Sequence, residues 1–273
     1  MTPRQHTRHA FTLLELLIVI GIIAGLAAIT TLVGTAVVNS GKKNSTLGVL
    51  QSLDQALAAY IDTKGTNPPA LVEIPEARVP STIDNNAVFF PAIDGRGAED
   101  DSDPLNDVIS VALFIESVRS VPSTQEIINS INPRYLQTYT PSEDYFPQLL
   151  TAFDAWGNPI RYVHPKFDGV IQEQDRMADD PGDTIDVTLD GIYFNAGSLP
   201  ANIDHVRMNI IRRNFVTADE LKSNPDIEAD SDGGIATGNR PYFYSAGPDG
   251  NPATIDDNIY INPVQRADPG IDN

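Results

Sequence analysis

The stretch YSAGPDGNPATIDDNIY, Tyr244 to Tyr260, sets Asp249, Asp256 and Asp257 on a Gly- and Asp-rich loop between two strand-like runs. Calcium takes about six to eight oxygen ligands, mixing carboxylates with carbonyls on a flexible loop. If this hairpin closes, Asp249 at one end and Asp256 with Asp257 at the other converge, and Ser245 or a nearby carbonyl completes the shell. Left unneutralised, the same acids repel and splay the strands, so a plain surface turn with solvated carboxylates stands as the alternative. A second acidic stretch, IEADSDGG, places Glu228, Asp230, Asp232 and Gly233 like the first half of an EF-hand loop. Asn239 falls where such a loop needs a bidentate Glu, so this stretch reads as an ordinary acidic turn. The third candidate is Glu15, a single acid a few residues inside an apolar run, where a charge at hydrocarbon depth costs about 3 kcal/mol and calls for a partner.

Enzyme chemistry finds little footing. His164 and His205 are the only histidines outside the N-terminal basic stretch, and neither sits in an H-E-x-x-H pattern. There is no G-x-S-x-G elbow, and SGKKNS around Gly41 fails the phosphate-loop spacing. These absences favour a chain that is not an enzyme over a membrane-anchored hydrolase. A net charge of −19, with a pI near 4.3, argues against nucleic acid, whose phosphates need Lys and Arg opposite them. With no cysteine, disulfides, thiolate metal sites and cysteine nucleophiles are excluded.

The elements that must position these groups begin with one long helix. No residue from Leu16 to Asn39 is ionisable, which exceeds the roughly 20 residues of a membrane-spanning helix. A cleaved secretory signal is the competing reading, but the run is long for one and has no clear cleavage site. Beyond Lys42 and Lys43, Leu47, Leu50, Leu53, Leu57 and Tyr60 recur at spacings of three or four, the pattern of an amphipathic continuation. Gly65 and the following Asn67-Pro68-Pro69 predict its end. Helix from Phe11 to Thr63 would be about 80 Å long.

After Gly65 the prolines and the acidic run GRGAEDDSDP predict a long irregular connection, broken by a helical insertion over roughly 104–131. There Ser123 and Glu126 match a capping box. From Asp154 onward the period shifts to two. DTIDVTLDGIYF, NPIRYVH, RPYFYSAG and NIYIN are strand candidates. The implied architecture is α+β, with a small antiparallel sheet packed on the long helix. The chain divides into a basic leader (1–10), an apolar helix (11–39), its amphipathic continuation (40–65), the connection with its insertion (66–153) and a sheet domain (154–273).

The block HAFTLLELLIVIGIIAG, His9 to Gly25, behind a short basic leader, resembles the cleavage and methylation segment of type IV pilins and type II secretion pseudopilins. The resemblance covers Arg8 to about Tyr60. DAWGNPIRY, Asp154 to Tyr162, and the acidic loop at Tyr244 to Tyr260 are similar to segments of the G-type major pseudopilin, the latter to its calcium loop. The resemblance implies a pilin-like fold and cutting by a prepilin peptidase between Ala10 and Phe11, followed by methylation of the new amine. It further implies that Glu15, the fifth residue after the cut, pairs with the N-terminal amine of a neighbouring subunit. Two departures stand out: Ala10 replaces the usual Gly before the cut, and Leu32 stands where most members have a proline.

The expected protein is thus a structural subunit of a secretion pseudopilus or pilus-like filament. Its expected partners are prepilin peptidase, copies of itself or other pilin-like subunits, inner-membrane assembly machinery, and membrane lipid before assembly. Calcium is the one expected cofactor. The expected location is single-pass in the cytoplasmic membrane, with the C-terminal domain on the periplasmic side. Gly21 and Gly25 form a G-x-x-x-G pair that permits close helix approach. Two other readings remain open: a minor or adhesive tip subunit, whose helical insertion contacts partners, and a membrane-tethered binding domain that never polymerises.

Overall fold

A computed structural model describes residues 13–75, 88–92, 94, 109–139, 149–167, 194–195, 232, 234–252, 254–262 and 264–266. The chain separates into two compact units, Met1–Lys43 and Asn44–Asn273. Helix α1, Leu13–Lys64, has 52 residues, about 78 Å at 1.5 Å per residue.

In the first unit, α1 carries exposed apolar side chains on every face, from 47% exposure at Val19 to 81% at Leu13. The expectation of a membrane span is corrected here. Among the described residues, no helix is long and apolar enough to cross a membrane. The single-pass membrane location falls with it.

In the second unit, the amphipathic spacing is realised. Leu50, Leu53, Ala56 and Leu57 are fully buried, with Val49 and Tyr60 nearly so, and each buried leucine contributes about 2 kcal/mol. The helix stops at Gly65, whose φ of +73° is left-handed backbone that favours glycine. Its N–H closes on the Ile61 carbonyl at 2.8 Å.

The remaining elements are β1 (Leu71–Ile74), β2 (Val88–Pro91), α2 (Ser110–Val118), α3 (Pro122–Ser130), β3 (Leu136–Tyr139), β4 (Leu149–Ala152), β5 (Arg161–Val163), β6 (Phe194–Asn195), β7 (Gly234–Ile235), β8 (Tyr242–Ser245), β9 (Ile259–Tyr260) and β10 (Gln265–Arg266). They form small sheets in the orders β1-β2-β6, β3-β4, β5-β8-β9 and β10-β7. Every pairing is antiparallel, so the fold is α+β. The expected strands in NPIRYVH, RPYFYSAG and NIYIN appear as β5, β8 and β9. Most of DTIDVTLDGIYF lies outside the described residues.

Three expectations change. The connection after Gly65 contains β1 and β2, paired with Val72 opposite Phe90. The segment expected as an insertion supplies α2, whose Val111, Ala112, Leu113, Phe114, Ile115 and Val118 are all buried. With seven of its nine residues buried, α2 is core rather than appendage, and it touches β1, β4 and β5. The capping box does not form: α3 begins at Pro122 with Val121 as N-cap and no side-chain cap bond. Proline at the first helical position brings no N–H, which removes one donor a cap would serve.

Phe114 lies at the centre of this core, 5.1 Å from the Tyr162 ring and 4.8 Å, edge on, from Phe243. Tyr162 is fully buried and its hydroxyl has no hydrogen-bond partner among the described residues. Burial first, then Tyr60, pushes its pKa well above the ordinary value. A buried hydroxyl without a partner costs about 1–3 kcal/mol. Tyr162→Phe should therefore raise stability by about 1 kcal/mol in urea titration; a clear loss would mean the hydroxyl is satisfied in solution.

Candidate functional site

Polar side chains inside the second unit gather around the turn Asp154 to Asn158 and around the tyrosines of β8 and β9. Asp154, only 2% exposed, folds its own turn: Oδ1 accepts from the Trp156 and Asn158 amides at 2.8 and 2.9 Å. This is the short-range bonding to which Asp is suited, and Gly157 supplies the required φ of +98°. Oδ2 accepts from the Ser245 hydroxyl at 2.7 Å, and Ser245 Oγ in turn accepts from the Gly247 amide at 3.1 Å. Asn158 Nδ2 donates to the Gly247 carbonyl at 2.7 Å. On the helix side, Thr46 Oγ1, fully buried, accepts from the Ala155 amide at 3.1 Å.

The acidic turn therefore begins from a fixed base. Gly247, at φ +74°, approaches the Asp257 carbonyl so closely that a Cβ would overlap it. Asp249 Oδ1 accepts from the Asn251 amide at 2.9 Å, while Asp249, Asp256 and Asp257 are exposed. Ser245 is no ligand here, because its hydroxyl is committed to Asp154. Among the described residues, no group of three or more His, Cys, Asp or Glu side chains is placed to hold a metal ion. The donor set nonetheless suits a hard cation: carboxylates, carbonyls and the buried Asn258 Oδ1, which has no hydrogen-bond partner among the described residues.

Two further carboxylates, Asp94 and Asp232, are buried. Asp94 receives the Tyr244 hydroxyl at 2.6 Å and the Arg161 guanidinium at 3.2 Å. Burial alone would lower the Arg161 pKa, but Tyr244 and Asp94 outweigh it and hold it above its ordinary value. Asp232, read above as an ordinary acidic turn, is fully buried. Its Oδ1 accepts from Tyr242 Oη at 3.0 Å and from the Gly234 amide at 3.0 Å, and its Oδ2 accepts from Tyr260 Oη at 2.8 Å. Burial first, then Asp94 and Asp232, pushes the Tyr244 pKa well above its ordinary value. The alternation of Tyr242, Tyr244 and Tyr260 with apolar neighbours was a usable signal, since buried tyrosine hydroxyls need acceptors. Glu228 and Asp230 lie outside the described residues, as do Ala10, Phe11 and His205; Glu15 lies in the first turn of α1.

His164 is 5% exposed. Its Nδ1 accepts from the Lys166 amide at 3.1 Å, so Nε2 carries the proton that reaches the Pro68 carbonyl at 3.0 Å. Burial, with Lys166 adding to it against the Pro68 bond, lowers its pKa from 6.5 to about 4. The unfolded histidine takes a proton near pH 6.5 and the folded one does not. Its stability contribution is thus complete above pH 6.5 and lost as pH falls to about 4, by about 3 kcal/mol. In urea titrations, His164→Gln should lose about 2 kcal/mol less than wild type between about pH 7 and about pH 4.5; equal losses would refute the assignment.

Comparison with protein-family models, with curated proteins and with solved structures returned no match.

Proposed function

We propose that this chain is a structural subunit of a pilin-like filament, of the secretion pseudopilus or type IV kind. In this reading it is cut by a prepilin peptidase before Phe11 and assembled with copies of itself through the first part of α1. The observation that carries the reading is the apolar surface on every face of that helix, Leu13 to Leu26, exposed throughout its described side chains. An apolar helix surface of this kind is stabilised by being covered, and like helices from other copies present the same surface. Gly21 and Gly25 have nothing within 4 Å of an added Cβ, which leaves room for the close approach a helix bundle needs. The long α1, ending at Gly65, and the small antiparallel sheets are compatible with the pilin fold. Such a subunit has no catalytic role.

The alternative, a tip subunit, would meet partners through α3, most of whose residues are exposed, since α2 is buried in the core. Filament preparations from cells making the chain should contain it in assemblies of many copies. Recovery only as a monomer, with the N-terminal segment intact, would defeat the reading.

Calcium at the acidic turn is the second part of this proposal, with Asp249, Asp256 and Asp257 as its carboxylates and Asn258 Oδ1 or nearby carbonyls beside them. The exposed carboxylates would draw together around the ion, which would offset their repulsion. At calcium a hundredfold above Kd the fold would gain about 2.7 kcal/mol. The melting midpoint should therefore rise in calcium relative to chelator, and an unchanged midpoint would remove the site.

A further inference from the structure

We infer that the Asp154–Asn158 turn is a mechanical bridge that fixes the acidic turn to helix α1, so that order in one is set by the other. The geometry is a continuous relay of buried and half-buried bonds. On α1, Thr46 Oγ1 holds the Ala155 amide at 3.1 Å. Within the turn, Asp154 Oδ1 binds the Trp156 and Asn158 amides and Oδ2 takes the Ser245 hydroxyl at 2.7 Å. At the far side, Ser245 Oγ accepts the Gly247 amide and Asn158 Nδ2 holds the Gly247 carbonyl, at 3.1 and 2.7 Å. An added Cβ at Gly250 would meet Asn158 Oδ1 at 3.0 Å, so the acidic turn also packs on the bridge.

These groups share one carboxylate that has no spare oxygen. Movement of the Asp154 turn must therefore break or lengthen bonds at both ends, since Thr46, Asp154 and Ser245 are all buried from water that might substitute. Asp154 and Asn158 are positioning residues for the acidic turn, and Thr46 is the point where α1 feels it. The bridge stands on this geometry and is separate from filament assembly and from calcium binding.

Amide hydrogen exchange in the full chain tests the coupling. Thr46→Val removes the acceptor from α1 at nearly constant volume, and Thr46 touches no residue of the acidic turn in this relay. Exchange should quicken at least tenfold at Ala155 and also at Gly247, with Thr46→Ser restoring both. Asn158→Ala should produce the reciprocal effect at Ala155. Faster exchange confined to Ala155 in Thr46→Val, or to Gly247 in Asn158→Ala, would overturn the bridge.

Discussion

Replacing Glu15 with alanine should leave cleavage before Phe11 intact and cut filament content to less than a tenth of the wild-type level. The expectation follows from where the acid sits. Glu15 is in the first turn of α1, among leucines that are 57 to 81% exposed. Once copies cover those leucines, a lone carboxylate would be stranded in an apolar bundle. A cut before Phe11 creates a positive amine four residues away in sequence, and the corresponding amine of a neighbouring copy offers the missing partner. Removing one member of a buried ion pair costs about 3–5 kcal/mol, which at each contact weakens association by more than about a hundredfold. Glu15→Gln should fail nearly as badly, because it keeps the shape and loses the charge. Cleaved Glu15→Ala chains found in filaments at normal yield would show that the acid does not pair between copies.

Asp154→Ala should be among the most destabilising single substitutions in the second unit. The carboxylate is 2% exposed and accepts from the Trp156 amide, the Asn158 amide and the Ser245 hydroxyl. Alanine leaves all of these donors without that acceptor inside the protein. At about 1–3 kcal/mol for each unsatisfied buried group, with some relaxation, a loss of about 4 kcal/mol is expected. For a unit of this size that corresponds to a fall in Tm of about 10 °C or more. Asp154→Asn should recover part of the loss, since one amide oxygen can still accept. The near-even cost of single-donor losses gives a control: Ser245→Ala should cost about 1–2 kcal/mol. An Asp154→Ala chain that melts within a degree or two of wild type would refute the bonding described.

What the sequence made legible is the part governed by local rules. The three-or-four spacing from Leu47 to Tyr60 placed the buried stripe of α1, and Gly65 with Pro68 and Pro69 placed its end, because periodicity and left-handed backbone are local properties. Strands β5, β8 and β9 were legible for the same reason. β1 and β2 are not, since Pro75 follows β1 directly and Pro91 closes β2, and prolines at those places read as loop; pairing between strands, not propensity, makes them. α2 was legible as a helix but not as core. Its position follows from packing Phe114 against Tyr162 and Phe243, residues far along the chain.

The candidate site divides in the same way. Asp249, Asp256 and Asp257 stand out as candidates because they lie on one loop, whereas the role of Asp94 depends on a tyrosine distant in sequence and that of Asp232 on Tyr242 and Tyr260, 10 and 28 residues away. Asp94 and Tyr244 stand 150 residues apart, and no window along the chain could join them. Ser245 stands at the edge of the acidic loop, where its oxygen could complete a cation's shell, but its hydroxyl serves Asp154, 91 residues away. The apolar run suggests a membrane span, yet no helix among the described residues is long and apolar enough to cross a membrane.

The mature N-terminus tests the central claim most directly, and mass spectrometry of the chain from its native cells reads it in one step. The filament account predicts a chain that begins at Phe11 and carries a methyl group on its amine. A chain that still begins at Met1 in assembled material, with no methylated Phe11 species present, would contradict it.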